Sequence, residues 1–324
     1  MCGTNYIDAG TAGKIAAAAA TFRQITESPF GPDDEIGMLN LITADSMRAV
    51  MSRADPGHTL DLSVDYFLGM PSFTAAGQPP YQISMTNTPR GTALDNSTGF
   101  GEQNQLVGYS GDAISMYTHC GTHIDTLNHF GYHGKIWNGF DADSYLGARH
   151  WLCAGADKQP PIIARGVLLD IAALHGVDVL PQSYAIGQAD LAGAAQKQGV
   201  ELRPGDVVMV RSGQMTLWND PAAYIANEAG VNREGAEFLA RSGAIVVGAD
   251  NLSFEQIPST EEGNWLPVHT YLFGEAGVTI MEVVDLEGLS AERIFEFCFI
   301  GAALKLRGAT GAPMRPMAMP FRTT

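Results

Sequence analysis

Four of the eight histidines in this chain stand close together, at positions 119, 123, 129 and 133. The stretch that holds three of them reads His119-Cys-Gly-Thr-His123-Ile-Asp125-Thr-Leu-Asn-His129. Neutral imidazole nitrogens and a carboxylate oxygen are the donors that suit Zn²⁺ or Mn²⁺. The chemistry such a set points to is hydrolysis by metal-activated water. A lone histidine is ordinarily a hydrogen-bonded packing residue, but His-x₃-His-x-Asp-x₃-His is a pattern that packing does not require.

The spacing of four between His119 and His123 invites a helix. Gly121, Thr122, Ile124 and Thr126 argue against one, because glycine and β-branched residues are weak helix formers. A strand is expected instead. Alternate residues of a strand share a face, so His119, Gly121, His123 and Asp125 would point the same way, with Gly121 leaving room between two imidazoles. His129 would follow at the next bend, close enough to reach a metal-bound water without necessarily being a ligand. Cys120 would face away from the histidines, which makes it a packing residue and not a thiol nucleophile.

These residues resemble the signature His-x-Gly-Thr-His-x-Asp-x₃-His of the cyclase-like metal-dependent hydrolases, the family of bacterial kynurenine formamidase and isatin hydrolase. The resemblance extends to Gly31-Pro-Asp-Asp-Glu-Ile-Gly-Met-Leu-Asn-Leu-Ile, to Gly205-Asp-Val-Val-Met-Val-Arg-Ser-Gly and to Leu304-Lys-Leu-Arg-Gly-Ala-Thr-Gly-Ala-Pro-Met-Arg. It implies a mixed-sheet α/β fold of the swivelling β/β/α type. It also implies a second pair of metal-site residues, which His269 and Glu282 match; Glu275 is nearer in sequence but precedes the Ala276-Gly277 turn and ranks below Glu282.

The resemblance further implies a metal site of His119, His123, Asp125, His269 and Glu282, holding one or two Mn or Zn ions, with His129 catalytic. The reaction implied is cleavage of a C–N bond in a cyclic amide or imide, isatin- or lactam-like, or in an N-formyl aryl amine. Esters, lactones and carbamates would suit the same chemistry, and an inactive metal-stabilised scaffold is the alternative from another class. A homodimer or homotetramer is expected, with residues 71–112 as its interface or a lid. Members often carry Ala-Pro after the motif aspartate, where this chain has Thr126-Leu127-Asn128. The loop that follows is the chain's own, and Tyr132, His133 and Trp137 are its candidate pocket residues.

The elements that must position these groups are legible as apolar runs. Residues 166–171, 206–211, 244–248 and 277–281 read as strands buried on both faces, and 293–300 as a late strand. Residues 189–198 and 232–241 read as helices stopped by Gly199 and Gly243, and Thr43 looks like the cap of another. Residues 30–324 are expected to form one domain. Residues 1–29 are set apart as a leader or helix, with 16–25 read as a helix or a loose leader.

The chain has 324 residues, 45% of them hydrophobic, and a net charge of -16. So acidic a chain offers no basic surface for nucleic acid or for an anionic membrane, which leaves a small molecule as the expected partner. Cys2, Cys120, Cys153 and Cys298 show no paired spacing, so neither a disulfide framework nor a cysteine zinc site is expected. With no long apolar run, a cytoplasmic location is expected. No Gly-x-Ser-x-Gly elbow occurs, and Gly99-Phe-Gly101-Glu-Gln-Asn104 lacks the third glycine of a dinucleotide fingerprint.

Overall fold

The computed structural model describes residues 25–94, 96, 99–103 and 106–322. The helix or loose leader expected over 16–25 lies, except for Ile25, outside the described residues. In chain order the strands are β1 (Leu60–Asp61), β2 (Gln82–Asn87), β3 (Gly111–Ser115), β4 (His123–Asp125), β5 (Ile162–Asp170), β6 (Ala185–Ile186) and β7 (Val207–Arg211). There follow β8 (Gly230–Val231), β9 (Val246–Ala249), β10 (Thr279–Glu282), β11 (Glu296–Gly301), β12 (Gly311–Pro313) and β13 (Met317–Pro320).

A nine-stranded mixed sheet organises the molecule, in the order β1-β13-β11-β5-β7-β9-β10-β4-β12. Its centre, β5-β7-β9-β10, is parallel. The flanking pairs β11-β5 and β10-β4 are antiparallel. Because side chains alternate across a strand, the apolar runs divide between two cores. Val208, Val210, Val247 and Ile280 enter one, under the helices Gln188–Gln198, Arg233–Arg241 and Pro267–Tyr271. Val207, Met209, Val246 and Met281 enter the other, with Leu39, Leu62, Leu286 and Leu289. Full burial of each such side chain contributes roughly 1.5–3 kcal/mol.

The helix expected at 189–198 runs over Gln188–Gln198 and ends at Gly199, whose φ of 70° is the left-handed cap that glycine adopts without a Cβ clash. Thr43 caps Ala44–Arg53 in a reciprocal capping box with Ser46. The late strand is β11. Residues 71–112, expected as an interface or a lid, contain β2 and lead into β3, which pair as a separate two-stranded ribbon.

The strand expected through the histidine motif is shorter than the sequence implied. Only His123–Asp125 pairs, as β4, while His119 lies in a turn and Gly121 has φ 59°. Gly121 makes room for Tyr66 and not for two imidazoles: a Cβ there would fall 2.4 Å from Cζ of that ring. Among the described residues no helix is long and apolar enough to cross a membrane.

Candidate metal centre

Three elements bring the motif together with the far end of the chain. β4 is hydrogen-bonded between β10 and β12, with His123 opposite both Glu282 and Pro313 and Asp125 opposite Gly311. His269 comes from the short helix Pro267–Tyr271, which starts at a proline, where a missing N–H costs nothing. His119 reaches the cluster because position 311 is glycine; a Cβ there would lie 2.5 Å from Cε1 of its ring.

Nε2 of His123 lies 3.2 Å from Oδ1 of Asp125 and 3.2 Å from Oε2 of Glu282. Nε2 of His269 lies 3.2 Å from Oε1 of Glu282 and 3.7 Å from Oδ2 of Asp125. Nδ1 of His119 is 2.5 Å from Oδ1 of Asp125, and its Nε2 is 2.9 Å from the hydroxyl of Thr310. Nε2 of His129 is 3.7 Å from Oδ2 of Asp125, and its ring stacks on His119 at 3.9 Å between centroids. The side chains of the other five are at most 6% exposed, whereas His129 is 17% exposed and forms the open side.

The hydrogen-bond pattern leaves a cation's place at the centre. Nδ1 of His123 donates to the carbonyl of Gly121 at 2.8 Å, so its Nε2 lone pair faces the two carboxylates. Nε2 of His123, Oδ2 of Asp125 and Oε1 of Glu282 are all buried without a hydrogen-bond partner. Orphaned buried polar atoms are costly, and three converging lone pairs repel one another unless a positive charge lies between them. The donor set, imidazole nitrogen with carboxylate oxygen, suits a borderline divalent ion. Two ligand groupings share Asp125: His119 with His129, and His123 with Glu282. Asp125 belongs to both groupings, and His129 belongs to the first of them.

Without a metal the same crowding acts on protons. Burial pulls His123 and His269 down, but the carboxylates that face them overcome it and push both up to about 10: Asp125 and Glu282 for the first, Glu255 and Glu282 for the second. Burial, and then the charge of His119, holds His129 well below its ordinary value, so it is a neutral base at pH 7. Burial pushes the Cys120 thiol up to about 11, which removes it as a nucleophile.

The pocket residues expected from the loop are placed differently. Trp137 is 1% exposed; its Nε1–H donates to Asp34 and its ring packs over Gly277, so it belongs to the core and not to a pocket. His133 is exposed on a turn, at φ 50°. Tyr132 donates its hydroxyl to Glu275, which also pairs with Arg233. That ion pair occupies Glu275 outside the cluster and leaves Glu282 as the glutamate at the site.

Aromatic residues that the sequence reading missed lie beside the histidines, with Trp265 beyond Phe130. Tyr117 lies 4.8 Å from the ring of His119, Phe130 lies 4.6 Å from His129 and 5.1 Å from His269, and Trp265 lies 6.1 Å from Phe130. Thr310 and Glu255 were also missed. Thr310 sits in the closing segment already noted for its resemblance, whereas nothing around Glu255 in the sequence signals a role.

The Cyclase family model matches residues 60–256. No curated protein matches the chain. Among solved structures, a novel cyclase is 26% identical, with a TM-score of 0.81 over 92% of this chain and 100% of its own. Isatin hydrolase A from Ralstonia solanacearum is 18% identical, with a TM-score of 0.61 over 86% of this chain and 97% of its own. A predicted metal-dependent hydrolase from Bacillus stearothermophilus is 21% identical, with a TM-score of 0.53 over 81% and 97%.

Proposed function

The chain belongs to the Cyclase family, and from that membership and the site's geometry we propose that it is a metal-dependent hydrolase of a C–N bond. The substrate class is a cyclic amide or imide, isatin- or lactam-like, or an N-formyl aryl amine. The observation that carries the reading is the convergence of Nε2 of His123, Oδ2 of Asp125 and Oε1 of Glu282, buried and unpartnered, beside a neutral His129.

His119, His123, Asp125, His269 and Glu282 would hold one or two Mn or Zn ions. Such an ion lowers the pKa of a coordinated water toward neutrality and polarises a carbonyl. His129, at the open side, would take the proton from the attacking water on Nε2. It would return that proton to the departing nitrogen as the C–N bond breaks, so that the acid and the amine form together. The aromatic lining of Tyr117, Phe130 and Trp265 supports a planar aryl substrate, because offset or edge-on ring contacts add to simple burial. It supports the aryl amides over aliphatic esters.

The test is hydrolysis of isatin, N-formylkynurenine and a bicyclic γ-lactam with Mn²⁺ or Zn²⁺ and with chelator. Chelator-sensitive turnover of any one supports the reading. Bound metal with no turnover of the panel moves the substrate class to lactones, esters or carbamates. Failure to bind either ion overturns the hydrolase reading.

The chain is further proposed to work as a homo-oligomer through the β2–β3 ribbon. Ile83 and Ile114 face each other across it, and with Met85, Leu106 and Val107 they are exposed. A two-stranded ribbon is marginal alone in water. Within a chain of net charge -16, the charged residues between 82 and 115 are only Arg90, Asp95, Glu102 and Asp112. A second copy is the partner this apolar ribbon can meet without stacking like charges.

A further inference from the structure

We propose that Glu255 is a positioning residue that fixes which nitrogen of His269 faces the metal, and so sets the metal affinity of the site. The inference rests on the metal-site reading above. Oε1 of Glu255 accepts from Nδ1 of His269 at 2.6 Å and from its backbone N–H at 2.9 Å, while Oε2 accepts from the N–H of Val268 at 3.2 Å. These backbone donors belong to the first turn of the helix, which has no carbonyls of its own to offer them. One carboxylate thus holds both the helix start and the ring it carries.

The consequence for the ring is a matter of donors and acceptors. A carboxylate accepts only, so in the neutral ring Nδ1 must carry the proton, and Nε2 is the nitrogen left for a cation, toward Glu282 and Asp125. The two imidazoles nearest Glu282 are therefore oriented by unequal partners. His123 is held by a neutral carbonyl, that of Gly121, whereas His269 is held by a full negative charge. A charged acceptor on the far nitrogen makes the near one a stronger donor to a cation.

The backbone around Glu255 is built to keep it there. Glu255 is 1% exposed and forms a bridge with Val231. Gly230 admits this approach, since a Cβ at that position would lie 2.3 Å from the carbonyl carbon of Glu255. The residue before it, Phe254, is fully buried at φ 56°, a conformation that a bulky side chain adopts only where its surroundings impose it. None of this serves a surface carboxylate.

The experiment compares wild type with Glu255→Gln, an isosteric change that removes the negative charge facing Nδ1. The amide oxygen takes the place of Oε1, which accepts from both Nδ1 and the backbone N–H of His269, and the amide nitrogen is set against the N–H of Val268. Zn²⁺ and Mn²⁺ affinities are measured separately by competition with a chromogenic chelator, alongside the melting temperature of the metal-free proteins. The expected result is an affinity roughly 10–100-fold weaker, with the metal-free melting temperature little changed. Affinity within twofold of wild type overturns the inference and leaves the hydrolase reading standing. A wild type that binds neither ion overturns the hydrolase reading itself. If the variant does not fold, nitrogen NMR of the Zn²⁺-loaded wild type decides: a proton on Nδ1 of His269 supports the inference, and a bare Nδ1 overturns it.

Discussion

His123 and Glu282 face each other across the antiparallel pair of β4 and β10, and their side chains meet with Nε2 3.2 Å from Oε2. This cross-strand contact joins the histidine motif to a carboxylate far along the chain. It also sets the orientation of Glu282, whose other oxygen turns toward His269. The sheet register is therefore part of the site: a one-residue slip of β4 would send His123 and Asp125 to the opposite face.

Asp125 is shared by both ligand groupings, so Asp125→Asn is expected to lose metal and activity together. Metal content after dialysis and turnover on the same sample check this. Stoichiometric metal in the variant would remove Asp125 from the ligand set.

His129→Ala is expected to keep its metal and lose roughly 10²–10⁴-fold in kcat, the ordinary contribution of a general base. Metal analysis beside steady-state kinetics separates the outcomes. Loss of metal would make His129 a ligand, and full activity would leave it with neither role.

Trp265→Ala should raise KM for aryl amides by roughly 10-fold with little change in kcat, the scale of one aromatic contact plus its buried area. Trp265 is 63% exposed, so its removal leaves the fold intact. An equal effect on aliphatic and aryl substrates would dismiss the aryl wall.

Glu228, a buried carboxyl outside the ligand set, supplies a pH dependence of stability. Burial, with the charge of Glu282, pushes its carboxyl up from 4.5 to about 8, against the hydrogen bonds from Leu252 and Ser253. Between these values the unfolded chain gives up the proton while the folded protein keeps it, so stability falls as pH rises through that window. Glu228→Gln removes the effect, and its stability relative to wild type should climb by about 1 kcal/mol per pH unit before levelling off. Urea unfolding of both proteins at several pH values reads the difference; parallel curves would show that Glu228 does not titrate there.

The β2–β3 ribbon gives a direct test of assembly. Light scattering of the wild type at micromolar concentration should show a dimer or tetramer, and Ile83→Lys with Ile114→Lys should shift it toward monomer. A monomeric wild type would end the proposal.

The donor types and their order were legible in the sequence because a metal site needs particular atoms, and residue letters name those atoms. The buried strands and glycine-stopped helices were legible because burial on both faces and the left-handed cap leave local marks, as at 207–211 and Gly199. The strand drawn through His119 was an overreach. Local propensity excluded a helix there correctly, but the ring of Tyr66 and the left-handed turn at Gly121 set the actual path.

Trp137 shows the limit in another way. An aromatic residue in a loop after the motif could line a pocket or fill a core, and only the positions of Asp34 and Gly277 decide between them. Glu255 and Phe130 have no local signature, because their roles come from what lies across from them. The sequence by itself determined which chemistry the chain can support, since composition and motif fix the kinds of donor present. Tertiary structure alone decided which nitrogen of each histidine is free, which carboxylates lie without partners and which face is open. Those properties depend on distances between segments far apart along the chain, and no local pattern encodes them.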